Sequence, residues 1–187
     1  MANLEHLSIL SKGADLWNFW RNESGIKHAD LSNADLSNTN LEGVDLTACD
    51  CSVANFTSAF LVSAILIEAD LSASNFSGAN LTNAYLNEAN LIGANLTKAM
   101  LTNTNFHSAD VRYADFRSAT VSGVRYTNLD LSLTHGLDSC VHISPSHIDQ
   151  QTLTKSGKLP RVFLERIGLM KWEIDNNKLC KSRLNNQ

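Results

Sequence analysis

The feature that most constrains this chain is a five-residue repeat running without a gap from Ala29 to Leu133. It opens as Ala29-Asp30-Leu31-Ser32-Asn33 and Ala34-Asp35-Leu36-Ser37-Asn38 and continues for twenty-one blocks. A repeat this short and sustained requires every block to do the same structural job as its neighbours. Each block is numbered here by its central apolar residue, i, which is Leu in thirteen blocks and Phe in four (Phe56, Phe76, Phe106, Phe116). Position i−2 is Ala in fourteen.

In extended backbone alternate side chains share a face, so i−2 and i point one way while i−1 and i+1 point the other. A straight strand with an odd period would exchange its faces at every block. A bend in each block avoids that, and the Gly and Asn residues at many i+2 positions, such as Asn33, Gly43 and Gly78, suit a corner. Four corners close a square coil of twenty residues. Coils stacked at about 4.8 Å would make a tower of about five turns, about 25 Å tall, with Leu and Phe rings flanked by small Ala in a narrow bore. No proline precedes Pro145, as expected where the backbone N–H groups are needed between coils.

The blocks Ala29-Asp30-Leu31, Ala79-Asn80-Leu81, Ala89-Asn90-Leu91 and Ala94-Asn95-Leu96 resemble the pentapeptide-repeat family, written A(D/N)Lxx. That resemblance implies an all-β solenoid, a right-handed quadrilateral parallel β-helix common in cyanobacteria, and mostly without known activity. The stretch Leu10-Ser11-Lys12-Gly13-Ala14 with Trp17-Asn18-Phe19-Trp20-Arg21 is similar to leaders of cyanobacterial members. The segment from Ile148 to Leu169 is similar to one that joins repeats to signalling domains in larger bacterial proteins.

The expected organisation is an N-terminal helical cap over 1–28, the β-helix over 29–133 and a C-terminal helical cap or tail over 134–187. A stacked solenoid needs such ends, because its terminal coils expose apolar and hydrogen-bonding surface. Leu4, Leu7 and Leu10 predict a helix, with Leu16, Trp17, Phe19 and Trp20 adding to a lid. Beyond Leu133, Ser144-Pro145 predicts one helix start and Pro160 another, the second burying Val162, Phe163 and Ile167 and stopping at Gly168. Trp172 to Gln187 shows no readable pattern.

No charged leader with a continuous apolar run is evident and no stretch reaches membrane-spanning length, so a cytoplasmic location away from membranes is expected. Cys49 and Cys51 occupy inward slots, with Cys140 and Cys180 isolated, which does not indicate a disulfide framework. Neither that pair nor the cluster His135, Cys140, His142 and His147 has common zinc spacing. The glycines form no phosphate loop and no Ser-His-Asp arrangement is readable. No catalytic residue, cofactor or metal is therefore expected; an enzyme or metal-binding protein is the remote alternative.

Stacking residues by twenties yields two surface features. Asp30, Asp50 and Asp70 form an acidic ladder, flanked by Glu68 and Glu88, and residues 29–108 hold eight acidic residues against Lys98 alone, a net charge of −7. Such a surface is similar to that of the DNA-mimicking pentapeptide proteins that bind DNA gyrase, which makes a modulator of gyrase or topoisomerase an alternative function. Duplex DNA would carry about eleven charges over the same four-coil rise. Direct nucleic-acid binding is not expected.

The second feature is apolar. Phe60, Val62, Ile65, Ile67, Tyr85 and Met100 fall in outward slots and converge around one edge. Each exposed aliphatic group forgoes about 1.5–3 kcal/mol of burial. Another protein, self-association or the chain's own termini would cover such an edge, and the preferred reading is a rigid, non-enzymatic scaffold for protein–protein interaction. In the fifth coil Arg112, Arg117 and Arg125 balance Asp110, Asp115 and Asp130, as expected for pairing with neighbouring acids or docking of the tail.

Overall fold

The computed structural model describes residues 1–176; Cys180 and the rest of the C-terminal stretch from 177 to 187 lie outside the described residues. Parallel bridges join residues twenty apart on four walls: Asp30 to Asp50 on the first, Asp35 to Asn55 on the second, Asn40 to Phe60 on the third and Asp45 to Ile65 on the fourth. The chain is a four-walled β-solenoid. Most rungs are single-residue bridges, and longer strands occur only higher up, β1 at Met100–Thr102, β2 at Thr120–Ser122 and β3 at Arg125–Tyr126.

Three backbone bonds in each block build the ladder. Asp50 N–H reaches down to Ala29 O (2.9 Å), Leu31 N–H up to Asp50 O (2.7 Å) and Asn33 N–H up to Ser52 O (2.9 Å). The corner closes through Ala34 N–H to Leu31 O (3.0 Å), a four-residue turn whose third residue has positive φ. Every i+2 residue from Asn33 to Asn128 adopts this left-handed conformation, including Val53 (φ 59°), Glu68 and Tyr113. L-residues pay for that conformation locally, so the register of the tower overrides preference at those corners.

The i−1 carboxylate or amide has a backbone task. Oδ1 of Asp30 accepts from Ser32 N–H (2.9 Å), and the same bond recurs in every block that carries Asp or Asn at i−1. It satisfies the i+1 amide. The bore is predominantly apolar, with the buried hydroxyls of Ser74 and Thr104 donating to Leu71 O and Leu81 O; Phe56 and Phe76 stack at 4.7 Å on the second wall and Phe106 and Tyr126 at 6.2 Å on the fourth.

Helices α1 (Leu4–Leu10) and α2 (Ala14–Ser24) close the base. Trp17 is fully buried and donates from Nε1 to Asp45 O (2.7 Å), while Asn18 accepts from Asp45 N–H and donates to Gly43 O. Arg21 donates to Thr47 O (2.7 Å) and to the Cys49 thiol (2.8 Å). These side chains satisfy the backbone edge of the first coil.

At the top the structure corrects the expected boundary at residue 134. The walls continue past Leu133: His135 pairs with Asp115, β4 (Val141–His142) pairs with β2, and β5 (His147–Ile148) pairs with β3. The offset grows from twenty to twenty-one at Thr120↔Val141 and to twenty-two at Arg125↔His147. The first insertion is taken up by a 3-10 turn at Leu137–Ser139. Its entry at Gly136 requires glycine, since a Cβ there would lie 2.5 Å from the backbone nitrogen of Arg117. The second surrounds Pro145, whose carbonyl accepts from Gly123 N–H, so the helix expected at Ser144-Pro145 starts instead at Gln150, capped by Asp149.

Helix α3 (Gln150–Ser156) covers the first wall. Thr152 Oγ1 accepts from Leu129 N–H and Ser156 Oγ from Leu131 N–H. Helix α4 (Arg161–Arg166) inserts Phe163 against Tyr126 and His142, leaving Val162 exposed, contrary to the expectation of burial. The last described helix, α5 (Lys171–Asn176), follows.

Candidate functional site

The i−1 slot is where this tower departs from its own rule. Phe60, Ile65, Tyr85, Met100, Thr120 and Arg125 replace Asp or Asn there, and all six lie on the third and fourth walls. The first and second walls carry only Asp or Asn within the repeats. Each departure forfeits the side-chain acceptor for the i+1 amide, a bond worth about 0.5–1.5 kcal/mol net.

Four of the six are apolar or aromatic. Ile65 pairs directly beneath Tyr85, and Phe60 lies two rungs beneath Met100 with Asn80 between them. Phe60 is 55% exposed, Tyr85 49% and Met100 44%, while Val62, Ile65 and Ile67 are half-buried. The six predicted edge residues therefore share one corner region, divided on the third wall by Asn80. The described flanks close the ends of the tower and leave this edge open. On the third wall β4 adds Val141, 49% exposed, above Thr120.

The acidic ladder is also assembled. Asp30, Asp50 and Asp70 pair in succession on the first wall, and Glu68 and Glu88 occupy left-handed corners. Its carboxylates are partly engaged within the tower: Asp50 Oδ1 accepts from both the amide and the hydroxyl of Ser52. Backbone hydrogen bonding from Ser32 holds the Asp30 carboxyl below its usual range.

Higher up, Arg112 clamps Asp110 at 2.6 Å and Arg117 clamps Asp115 at 2.5 Å. Those ion pairs lower both carboxyls. Arg125 makes no salt bridge among the described residues, and Tyr126 points inward, fully buried. The three histidines of the tail are separated, His135 on the second wall, His142 on the third and His147 on the fourth, while buried Cys140 lies beside His142. Among the described residues no three His, Cys, Asp or Glu are grouped to hold a metal ion. Burial pushes the Cys49 thiol up to about 11 and Cys140 to about 12, which keeps both protonated and poorly nucleophilic.

The family model for pentapeptide repeats (8 copies) matches residues 27–61, 64–103 and 84–123. The chain belongs to the pentapeptide repeat family. No curated protein matches it. Among solved structures it is similar to full-length QnrB1, a plasmid-mediated fluoroquinolone resistance protein, at 21% identity over 75% of this chain and 86% of that one, with a TM-score of 0.34. HetL of the cyanobacterium Nostoc, involved in heterocyst differentiation regulation, is 24% identical over 62% and 69%, with a TM-score of 0.25. A pentapeptide repeat protein of the Arabidopsis thaliana thylakoid lumen is 24% identical over 78% and 90%, with a TM-score of 0.31. No helix among the described residues of this pentapeptide repeat protein is long and apolar enough to cross a membrane.

Sequence reasoning identified the apolar edge but missed that Arg125, His107 and His147 share one groove. Counting by twenties relates Arg125 to Asn105 and His107 to Thr127. It misplaces His147, because two inserted residues intervene.

Proposed function

We propose that this pentapeptide repeat protein is a rigid, non-enzymatic scaffold that binds another protein, or a second copy of itself, through the edge formed by Phe60, Val62, Ile65, Ile67, Tyr85 and Met100. What carries the reading is the confinement of every non-Asx i−1 residue to two adjacent walls, where each forfeits a backbone bond and four leave apolar surface in water. A preformed face loses little entropy on binding, and half-exposed Phe, Tyr and Met side chains suit contact anchors.

The test compares wild type with Phe60→Ser/Ile65→Ser by sedimentation equilibrium and by pull-down from the native host. Loss of self-association, or of a specific captured protein, is expected; unchanged mass together with unchanged capture refutes the contact edge. A second reading, modulation of gyrase or topoisomerase, is favoured by one observation. The first wall prefers Asp (Asp30, Asp50, Asp70, Asp110, Asp130, with Asn90) although Asn serves the backbone equally well. Inhibition of gyrase supercoiling that disappears in Asp50→Asn/Asp70→Asn would select it.

A further inference from the structure

The fourth wall changes character as it rises. Its i−1 ladder runs Asp45, Ile65, Tyr85, Asn105, Arg125 and His147. Beside the upper rungs, the i+1 ladder presents Asn87, His107 and Thr127. Asn87, Asn105, His107, Arg125, Thr127 and His147 line one open groove that contains no carboxylate.

The chemistry of that lining is one-sided. Arg125 supplies a permanent cation that, unlike Arg112 and Arg117, is clamped by no acid among the described residues. His107 Nδ1 lies 2.9 Å from Thr127 Oγ1, a contact that orients the ring and leaves Nε2 for a ligand. His147 supplies a second imidazole directly above Arg125. The two carboxamides add neutral donors. Two acids adjoin the groove: Glu88 follows Asn87 at its corner, and Asp149, which interacts with His147, has its oxygens occupied by the amides of Asn128 and Thr152.

Adjacent rungs stand about 4.8 Å apart, so donors on neighbouring rungs and on the flanking ladder face one open groove, where an oxyanion can meet several of them at once. A carboxylate offers two oxygens in a plane. A phosphate monoester offers three terminal oxygens in tetrahedral array and a charge of about −1.5 to −2 near neutral pH, a better match to Arg125 and two imidazoles. We propose that the groove lined by Asn87, Asn105, His107, Arg125, Thr127 and His147 is a binding site for a phosphate group, held principally by Arg125. The site shares no residue with the apolar edge, which it adjoins where Tyr85 lies beside Asn105 and Arg125.

The test follows the His107 and His147 imidazole resonances by NMR while sodium phosphate is added at constant ionic strength, with phosphoserine peptide in a parallel titration. Saturable shifts at both rings are expected, with Arg125→Gln weakening the affinity at least tenfold and Lys98→Gln, on a different wall, leaving it unchanged. Tenfold tighter binding of the peptide than of inorganic phosphate assigns the group to a phosphorylated partner protein; equal affinity assigns it to free phosphate or a small phosphorylated molecule. Shifts reproduced by sodium chloride, shifts that never saturate with either probe, or wild-type affinity in a folded Arg125→Gln protein overturn the proposal.

Discussion

Phe60→Asn separates a contact residue from a structural one. Phe60 is 55% exposed, so about half of a side chain worth roughly 200 Å² is covered, and losing that cover costs at most about 2.5 kcal/mol. The new Asn regains the acceptor for Val62 N–H, worth about 1 kcal/mol. It also stands between Asn40 and Asn80 on the third wall, where amides can bond along the ladder as Asn95 does to Asn75 at 3.0 Å, for a similar gain. The expected change in unfolding free energy is within about 1 kcal/mol of zero. Phe76→Asn removes a fully buried ring stacked on Phe56 and leaves an amide in the bore, so it should cost more than about 4 kcal/mol. Urea unfolding followed by circular dichroism reads both. A cost at Phe60 above about 2 kcal/mol would make that side chain part of the fold and refute its assignment as surface kept for a partner.

Two further outcomes test the turn chemistry. Val53, left-handed at φ 59° and 54% exposed, stacks between Asn33 and Ala73 at its corner; Val53→Asn should raise stability by about 1 kcal/mol by relieving conformational strain, visible as a higher urea midpoint. The Asp30, Asp110 and Asp115 carboxyls titrate below their ordinary value of 3.8 in the folded tower, so their stabilisation is complete above about pH 4–5 and is lost as pH falls through the folded values. Asp30→Asn with Asp110→Asn keeps the Oδ1 acceptors but removes the titration, and the acid limb of a stability-against-pH curve should flatten.

The four walls were legible because register leaves one solution: an odd period with small and large residues at i−2 and i demands a corner in every block. Phe60 consequently points outward, and Asp30 stands under Asp50 on one wall. The corner conformation was legible where Asn or Gly occupies it, but not at Val53, Glu68 or Tyr113, where the neighbouring coils impose it against local preference. The continuation beyond Leu133 was hidden for a different reason. Inter-coil pairing needs only backbone donors and acceptors at the right height, so insertions near Leu137 and Pro145 erase the periodicity without breaking the ladder.

That separation between pattern and pairing also explains why departures are informative in this fold. Inside the bore, packing leaves few choices, and any exception reports on volume. At i−1, Asp or Asn occupies fifteen slots in the repeats, and each accepts from its i+1 amide. A residue that does not accept this bond lowers stability unless another interaction offsets the loss. The six exceptions fall on two neighbouring walls and divide by height: apolar groups from Phe60 to Met100, then Thr120 and Arg125, which makes no salt bridge among the described residues. The third and fourth walls therefore carry two adjoining surfaces of different chemistry, one apolar and one cationic, while the first and second keep the Asx rule throughout the repeats.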